Sequence, residues 1–146
     1  MRGDWDDAAR RLGSAIVALD LGDVITIGEE RPVVRTGLLG LRTAPSDRPR
    51  RWAQVTAAQN ALVAEVVGST SFGGTWEMSP ETERSLEKQG WERPWSEQWR
   101  DYQREANLGQ AHALARALLK ALRTLGCEVA DLEVTRSREE PDPGDY

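Results

Sequence analysis

The sequence contains very little of the chemistry on which catalytic and metal sites depend. It has one cysteine, Cys127, and one histidine, His112, in 146 residues. A single thiol excludes an intramolecular disulfide and a zinc cage built from thiolates. The two residues lie on and after one predicted helix, roughly 20 Å apart at about 1.5 Å per residue, which is too far for a nucleophilic Cys–His pair. We therefore expect no catalytic residue, no metal site and no cofactor.

Other signatures of chemistry are absent as well. The 24 carboxylates show no spacing typical of a metal loop or a paired acid and base. Glu65, the one carboxylate inside an apolar run, is predicted on the solvent face of its strand. The glycine-rich segment 68–74 has no Lys-Ser or Lys-Thr to close a phosphate loop. The composition thus favours a binding protein over an enzyme.

Long hydrophobic runs are also missing. No stretch approaches the roughly 20 apolar residues that a membrane span needs. The first residues contain neither an apolar signal-peptide core nor a cleavage site, so we expect a cytoplasmic protein. A net charge of −5 argues against general affinity for a phosphate backbone, and nucleic acid is not the expected partner.

Three segments carry helical patterns. Apolar residues recur at three- and four-residue spacing over 4–19 and again over 107–125, where Gly126 predicts the end of the helix. Between them, Ser79 and Pro80 predict an N-cap and first helical position, and Gly90 predicts a C-terminal cap. These signals predict a helix at each end and a short one before the last.

Strand patterns occupy the region between the first two helices. Residues 24–29 and 32–41 are predicted to pair as a hairpin, and residues 51–57 and 61–67 as a second one. The segment 42–50, rich in proline and arginine, is predicted as a surface loop. Residues 130–134 are predicted to add an edge strand.

The order of these elements is α-β-β-β-β-α-α with a last edge strand. It predicts an α+β fold in which an antiparallel meander sheet is flanked by an N-terminal and a C-terminal helix. One domain is expected over residues 1–135. Residues 136–146, which combine charges with proline and glycine, are predicted to form a disordered tail.

Several local phrases resemble one known family. Two of them are strands: one begins Arg51-Trp52-Ala53-Gln54 and the other ends Ala64-Glu65-Val66-Val67-Gly68. The third is the helix that begins at Met78-Ser79-Pro80-Glu81 and ends at Gly90-Trp91. These are similar to the TY-Chap domains, which join type III secretion chaperone-like and YbjN-like proteins and are common in actinobacteria. The resemblance covers roughly residues 5–134. It implies a fold without catalytic residues that dimerises or holds a partner polypeptide.

Tryptophan provides the main candidate for a binding surface. Six tryptophans in 146 residues is a high count, and rings of this size either anchor a core or form an interface. Trp95 and Trp99 lie four residues apart in a polar segment, and Tyr102 follows them. We predict that these three residues bind a protein client, although the segment could instead fold back and cover the sheet.

Arginine provides an alternative surface. A basic patch is predicted around the loop 42–51, next to Trp52; its members are Arg35, Arg42, Arg48, Arg50 and Arg51. Guanidinium groups beside an aromatic ring are typical of proteins that bind single-stranded nucleic acid. Charge runs in loops are usually just solvated, and we favour that interpretation here. A third alternative is that the loop binds an acidic segment of a protein partner.

Overall fold

The structure, a computed structural model, describes residues 1–29, 33–36, 42–45, 51–67, 78–94 and 101–138, with backbone alone for 33–36 and 42–45. Its helices are α1 (Trp5–Val17), α2 (Pro80–Lys88) and α3 (Ala111–Thr124), with short 3-10 turns at Leu108–Gln110 and Val129–Asp131. Its strands are β1 (Asp23–Glu29), β2 (Val33–Thr36), β3 (Arg42–Pro45), β4 (Trp52–Ala57), β5 (Leu62–Val66), β6 (Tyr102–Ala106) and β7 (Leu132–Arg138).

Helix α1 begins with a reciprocal pair of aspartates. The Asp4 carboxylate accepts the N–H of Asp7 at 2.8 Å, and the Asp7 carboxylate accepts the N–H of Asp4 at 3.3 Å. This capping box satisfies donors that the first helical turn leaves unpaired. The hydrogen bond from Asp4, followed by one from the Arg10 side chain, lowers the pKa of Asp7. The helix predicted over residues 4–19 is confirmed.

Helices α2 and α3 also have the predicted ends. Ser79 caps α2 by accepting the N–H of Thr82 at 3.2 Å. Both helices close with a glycine, Gly90 or Gly126, at φ values of +98° and +95°. The N–H groups of each glycine and of the next residue bond carbonyls of the last turn, an arrangement that needs the left-handed conformation glycine adopts freely.

The sheet has the order β6-β5-β4-β1-β7, and every neighbouring pair is antiparallel. Helix α3 packs against β4 and β5, and α1 packs against α3. The predicted α+β class, with an N-terminal and a C-terminal helix flanking an antiparallel sheet, is confirmed. The hairpin predicted from residues 51–57 and 61–67 is confirmed as β4 and β5.

The core lies on the face of the sheet that carries the helices. The alternating residues of β4 and β5 that share this face are buried: Ala53, Val55, Ala57, Leu62, Ala64 and Val66. Alanine at 53 and 64 is fully buried and leaves room for the leucines of α3, of which Leu114, Leu118 and Leu122 are at most 2% exposed. Large side chains on the helix thus fill space that small side chains on the strands leave open.

The first predicted hairpin is wrong. Strand β1 pairs with β4 and β7, whereas β2 pairs with β3 in a separate two-stranded sheet. Residues 42–45, predicted as loop, therefore form a strand, and the single strand predicted over 32–41 ends at Thr36 within the described residues. Short segments with similar strand propensity leave the choice of partner open, and long-range pairing decides it.

The last two strands differ from the prediction in extent. Strand β6 was not predicted. Only Tyr102 and Ala106 of its five residues are apolar, and both lie at its ends. Strand β7 reaches Arg138, three residues into the predicted tail, and the rest of that tail lies outside the described residues. Polar edge strands show little hydrophobic alternation, so pattern alone misses them.

Candidate functional site

The predicted aromatic surface is only partly described. Trp91 follows the glycine that ends α2 and is 2% exposed, and Tyr102 opens β6 and is 3% exposed. Burial raises the pKa of Tyr102 to about 12. Its ring therefore lies in the core, while Trp95 and Trp99 lie outside the described residues. The partner-binding role of these residues stays a prediction.

Arg51, which was predicted to belong to the basic patch, stabilises the fold. Its Nε and Nη2 donate to the two carboxylate oxygens of Glu29 at 2.6 and 2.7 Å, and its Nη1 donates to the carbonyl of Leu125 at 2.7 Å. Only 19% of its side chain is exposed, and Glu29 raises its pKa further. The guanidinium thus holds a strand pair and the carbonyl at the end of α3 together.

The other members of the basic patch are not placed in this way. Arg35 and Arg42 stand in the paired strands β2 and β3, for which the backbone alone is described. Arg48 and Arg50 lie outside the described residues. The patch without Arg51 therefore stays a prediction.

A second arginine repeats the contact made by Arg51. Arg104 projects from β6 and donates from Nη1 to the carbonyl of Gln89, the C-cap residue of α2, at 2.8 Å. In both cases a cation lies at the negative end of a helix dipole and satisfies a carbonyl that the helix leaves unpaired. Sequence reasoning missed both contacts, because each joins residues that are distant in the chain.

Strand β7 is fastened to the rest of the molecule by a buried carboxylate. Asp23, with 3% of its side chain exposed, accepts hydrogen bonds from Arg138 at 2.8 Å, from Arg136, and from the N–H of Asp20 at 3.0 Å. These contacts, that of Arg138 foremost, hold the pKa of Asp23 well below its usual range. At the other end of β7, the amino group of Met1 bonds the carbonyl of Leu132.

We expect the Asp23 contacts to contribute a pH-dependent part of the stability. Because its pKa is lowered in the folded state, the contribution is complete above the unfolded pKa of about 3.9 and is lost as the pH falls towards the folded value. The melting temperature of Asp23→Asn should therefore lie well below that of the unmodified protein at pH 7, with the gap closing below about pH 4.

Thermal unfolding from pH 2 to 7 measures this gap. Asp20→Asn is the control, since the Asp20 side chain is 76% exposed and its carboxylate lies 3.7 Å from Arg138; it should shift the melting temperature little. A gap for Asp23→Asn that stays constant from pH 2 to 7 would contradict the expectation.

The outer edge of β7 carries unpaired backbone groups. The N–H of Glu29 bonds the carbonyl of Arg51, so successive residues of β1 point alternately to β4 and β7. In the register of β1 with β7, Glu133, Thr135 and Ser137 then face β1, while Val134 and Arg136 face outward. Neither outward backbone has a hydrogen-bond partner in the described part of the chain.

The opposite edge of the sheet is partly occupied. Glu92 forms a two-way bridge with Gln103 of β6, at 2.8 and 3.2 Å. This contact covers the second residue of a strand of five residues. Strand β7, with seven residues, is the more open edge of the two.

The three residues considered for catalysis, Cys127, His112 and Glu65, lie in different parts of the fold. Cys127 is 3% exposed, and burial raises its pKa to about 12, so its thiol stays protonated at neutral pH. His112 is exposed in the first turn of α3, with its ring filling the space beside Gly13 of α1. Glu65 lies on the outer sheet face as predicted and accepts a hydrogen bond from Gln54 at 2.9 Å.

Within residues 1–29, 33–36, 42–45, 51–67, 78–94 and 101–138, no three His, Cys, Asp or Glu side chains are grouped so that they could hold a metal ion. No helix in this part of the chain has the length and apolar character needed to cross a membrane.

Comparison with known proteins relates the chain to a protein family. Residues 1–135 match the model of the family TY-Chap3, described as T3SS (YopN, CesT) and YbjN peptide-binding chaperone 3. No curated protein and no solved structure matches the chain. The matched range spans every helix and nearly every strand described above.

Proposed function

Since the chain belongs to the TY-Chap3 family of peptide-binding chaperones, we propose that it is a non-enzymatic cytoplasmic chaperone or adaptor that binds an extended segment of a client polypeptide along the outer edge of β7. The observation that carries this proposal is the unpaired outward backbone of Val134 and Arg136. An extended peptide that adds to a sheet edge gains main-chain hydrogen bonds without requiring a particular sequence. This mode suits a chaperone for polypeptide segments.

The edge is held in place before a client arrives. The Met1 amino group contacts the start of β7 at Leu132, and Asp23 binds Arg136 and Arg138 at its end. Less conformational entropy is then lost when a peptide pairs with the strand. Charged side chains on an exposed edge strand hinder its pairing with other chains. In β7 the charges of Arg136 and Arg138 are paired with Asp23, so we expect them to hinder a client less.

A proline substitution tests the edge directly. Val134→Pro removes an outward N–H, so the ladder with β1 is kept while pairing with a client is blocked. We expect it to weaken, by about tenfold or more, binding of a fluorescein-labelled, reduced and carboxymethylated lactalbumin, which is permanently unfolded. Val134→Ala keeps the N–H and should bind within about threefold of the unmodified protein. Fluorescence anisotropy measures both, after circular dichroism has shown the same fold.

Two other outcomes distinguish a failure of the β7 site from a failure of peptide binding in general. If Val134→Pro binds as well as Val134→Ala, the client does not use β7. If the unmodified protein binds neither this reporter nor an array of overlapping peptides, the peptide-binding proposal itself fails.

The predicted homodimer would use the same edge of β7. Antiparallel pairing of β7 with its counterpart in a second copy would satisfy the same backbone groups. Light scattering should then show a dimer that Val134→Pro converts to a monomer.

The predicted anchors Trp95 and Trp99 are tested by Trp95→Ala with Trp99→Ala, which should weaken reporter binding and leave the oligomer unchanged.

A further inference from the structure

A shallow depression lies where the start of α1 meets the outer face of α3. Its volume is about 170 Å³. Three of its lining residues belong to α1 and four to α3: Trp5, Asp6, Ala9, Arg116, Leu119, Lys120 and Arg123. None of these residues belongs to β7, so the site is separate from the β7 edge.

The rim of this depression is cationic. Arg116, Lys120 and Arg123 recur at helical spacing along one exposed face of α3, so they span about 10 Å at a rise of about 1.5 Å per residue. None of them has an ion-pair partner among the described side chains. Asp6 is the one carboxylate of the lining. A row of unpaired cations is unexpected in a chain of net charge −5.

The floor of the depression is apolar. Leu119 is buried, Ala9 is half-buried, and the Trp5 ring is partly exposed, with the Arg123 guanidinium 5.9 Å from its centroid. That distance is within the range of a cation–π contact. An apolar volume of about 150 Å³ accepts a ring the size of benzene, so the depression is large enough for one apolar side chain.

We propose that this depression binds an acidic peptide segment, with one apolar side chain on Trp5 and Leu119 and carboxylates beside Arg116 and Lys120. This inference rests on the proposed peptide binding and names the chemistry of the client. Complementary charge steers such a segment to the site and selects it over neutral ones. The apolar pocket, which is large enough for one side chain, favours a peptide over the phosphate backbone of a nucleic acid.

Charge reversal on α3 tests the proposal, with α2 as a matched control. The probe is a fluorescein-labelled nonapeptide with four glutamates around a central leucine. Arg116→Glu with Lys120→Glu should weaken its binding about tenfold, because two attractive contacts become repulsive. Arg84→Glu with Lys88→Glu makes the same charge change at the same spacing on the exposed face of α2 and should leave binding within about twofold. Binding to the unmodified protein should also weaken as salt is raised from 50 to 500 mM.

Three results would overturn the inference. Equal weakening by the α2 and α3 variants would show an effect of net charge alone. Failure to bind the nonapeptide, while the unfolded reporter still binds through β7, would remove the acidic site and leave the proposed function intact. Tighter binding of a single-stranded oligothymidylate that is lost in the α3 variant would assign the face to nucleic acid.

Discussion

Replacing Arg51 with alanine is expected to lower the free energy of unfolding by about 2 to 3 kcal/mol, because its ion pair with Glu29 is partly buried and lies between an exposed pair and a fully buried one. The substitution removes the bidentate hydrogen bond to the Glu29 carboxylate and the hydrogen bond to the Leu125 carbonyl. Both side chains of the pair are about one-fifth exposed, so water compensates for little of the loss. Urea unfolding at pH 7 measures the change.

Arg10→Ala is the matched control for this measurement. Arg10 also pairs with a carboxylate, that of Asp7, but its side chain is 76% exposed, and surface pairs of this kind contribute less than about 1 kcal/mol. An Arg51→Ala variant as stable as Arg10→Ala would contradict the role assigned to Arg51. A test of the basic patch should therefore replace Arg48 and Arg50 only, because a loss of binding in an Arg51 variant would report on the fold.

Gly28→Ala is the second substitution with a large expected effect. A Cβ at this position of β1 would lie 2.7 Å from the Cβ of Trp52 and 2.8 Å from the carbonyl oxygen of Arg51. Neither atom can move aside by a rotamer change, so the paired strands must separate. We expect the free energy of unfolding to fall by about 2 kcal/mol, within the range for forcing extra atoms into a packed site.

Gly109→Ala supplies the comparison. Its Cβ would meet only the Asn107 side-chain oxygen, at 3.5 Å, an ordinary contact. Neither glycine has a positive φ, so the two substitutions differ in space rather than in backbone strain. Denaturant unfolding should place Gly109→Ala within about 0.5 kcal/mol of the unmodified protein; an equal loss for both variants would show that close packing at Gly28 is not the cause.

The three helices could be predicted because their signals are local. Apolar spacing defined α1 and α3, while Ser79, Pro80 and Gly90 defined the ends of α2. Each signal lies within a few residues of the structure that it specifies. The β4–β5 hairpin was also predictable, since the connection of four residues, 58–61, leaves its two strands few other partners. The family resemblance rested on these same segments, and the family match confirms it.

The candidate surfaces were less predictable. Tyr102 was expected at a client surface, but its ring lies in the core because β6 pairs with β5. Arg51 was grouped with a basic loop, but its partners, Glu29 and Leu125, are remote in sequence. The α3 cations were not singled out in the sequence, and only the packing of α1 against α3 places Trp5 beside them.

The sequence by itself therefore determined the helices with their caps, the β4–β5 hairpin, the α+β class and the scarcity of catalytic side chains. Tertiary structure decided that β1 lies between β4 and β7, that β6 and β7 form the edges, and which arginines bind helix carbonyls. The physical reason is range: helix periodicity and capping depend on neighbours three or four residues away, whereas strand partners and buried ion pairs depend on which distant segments the common core brings together.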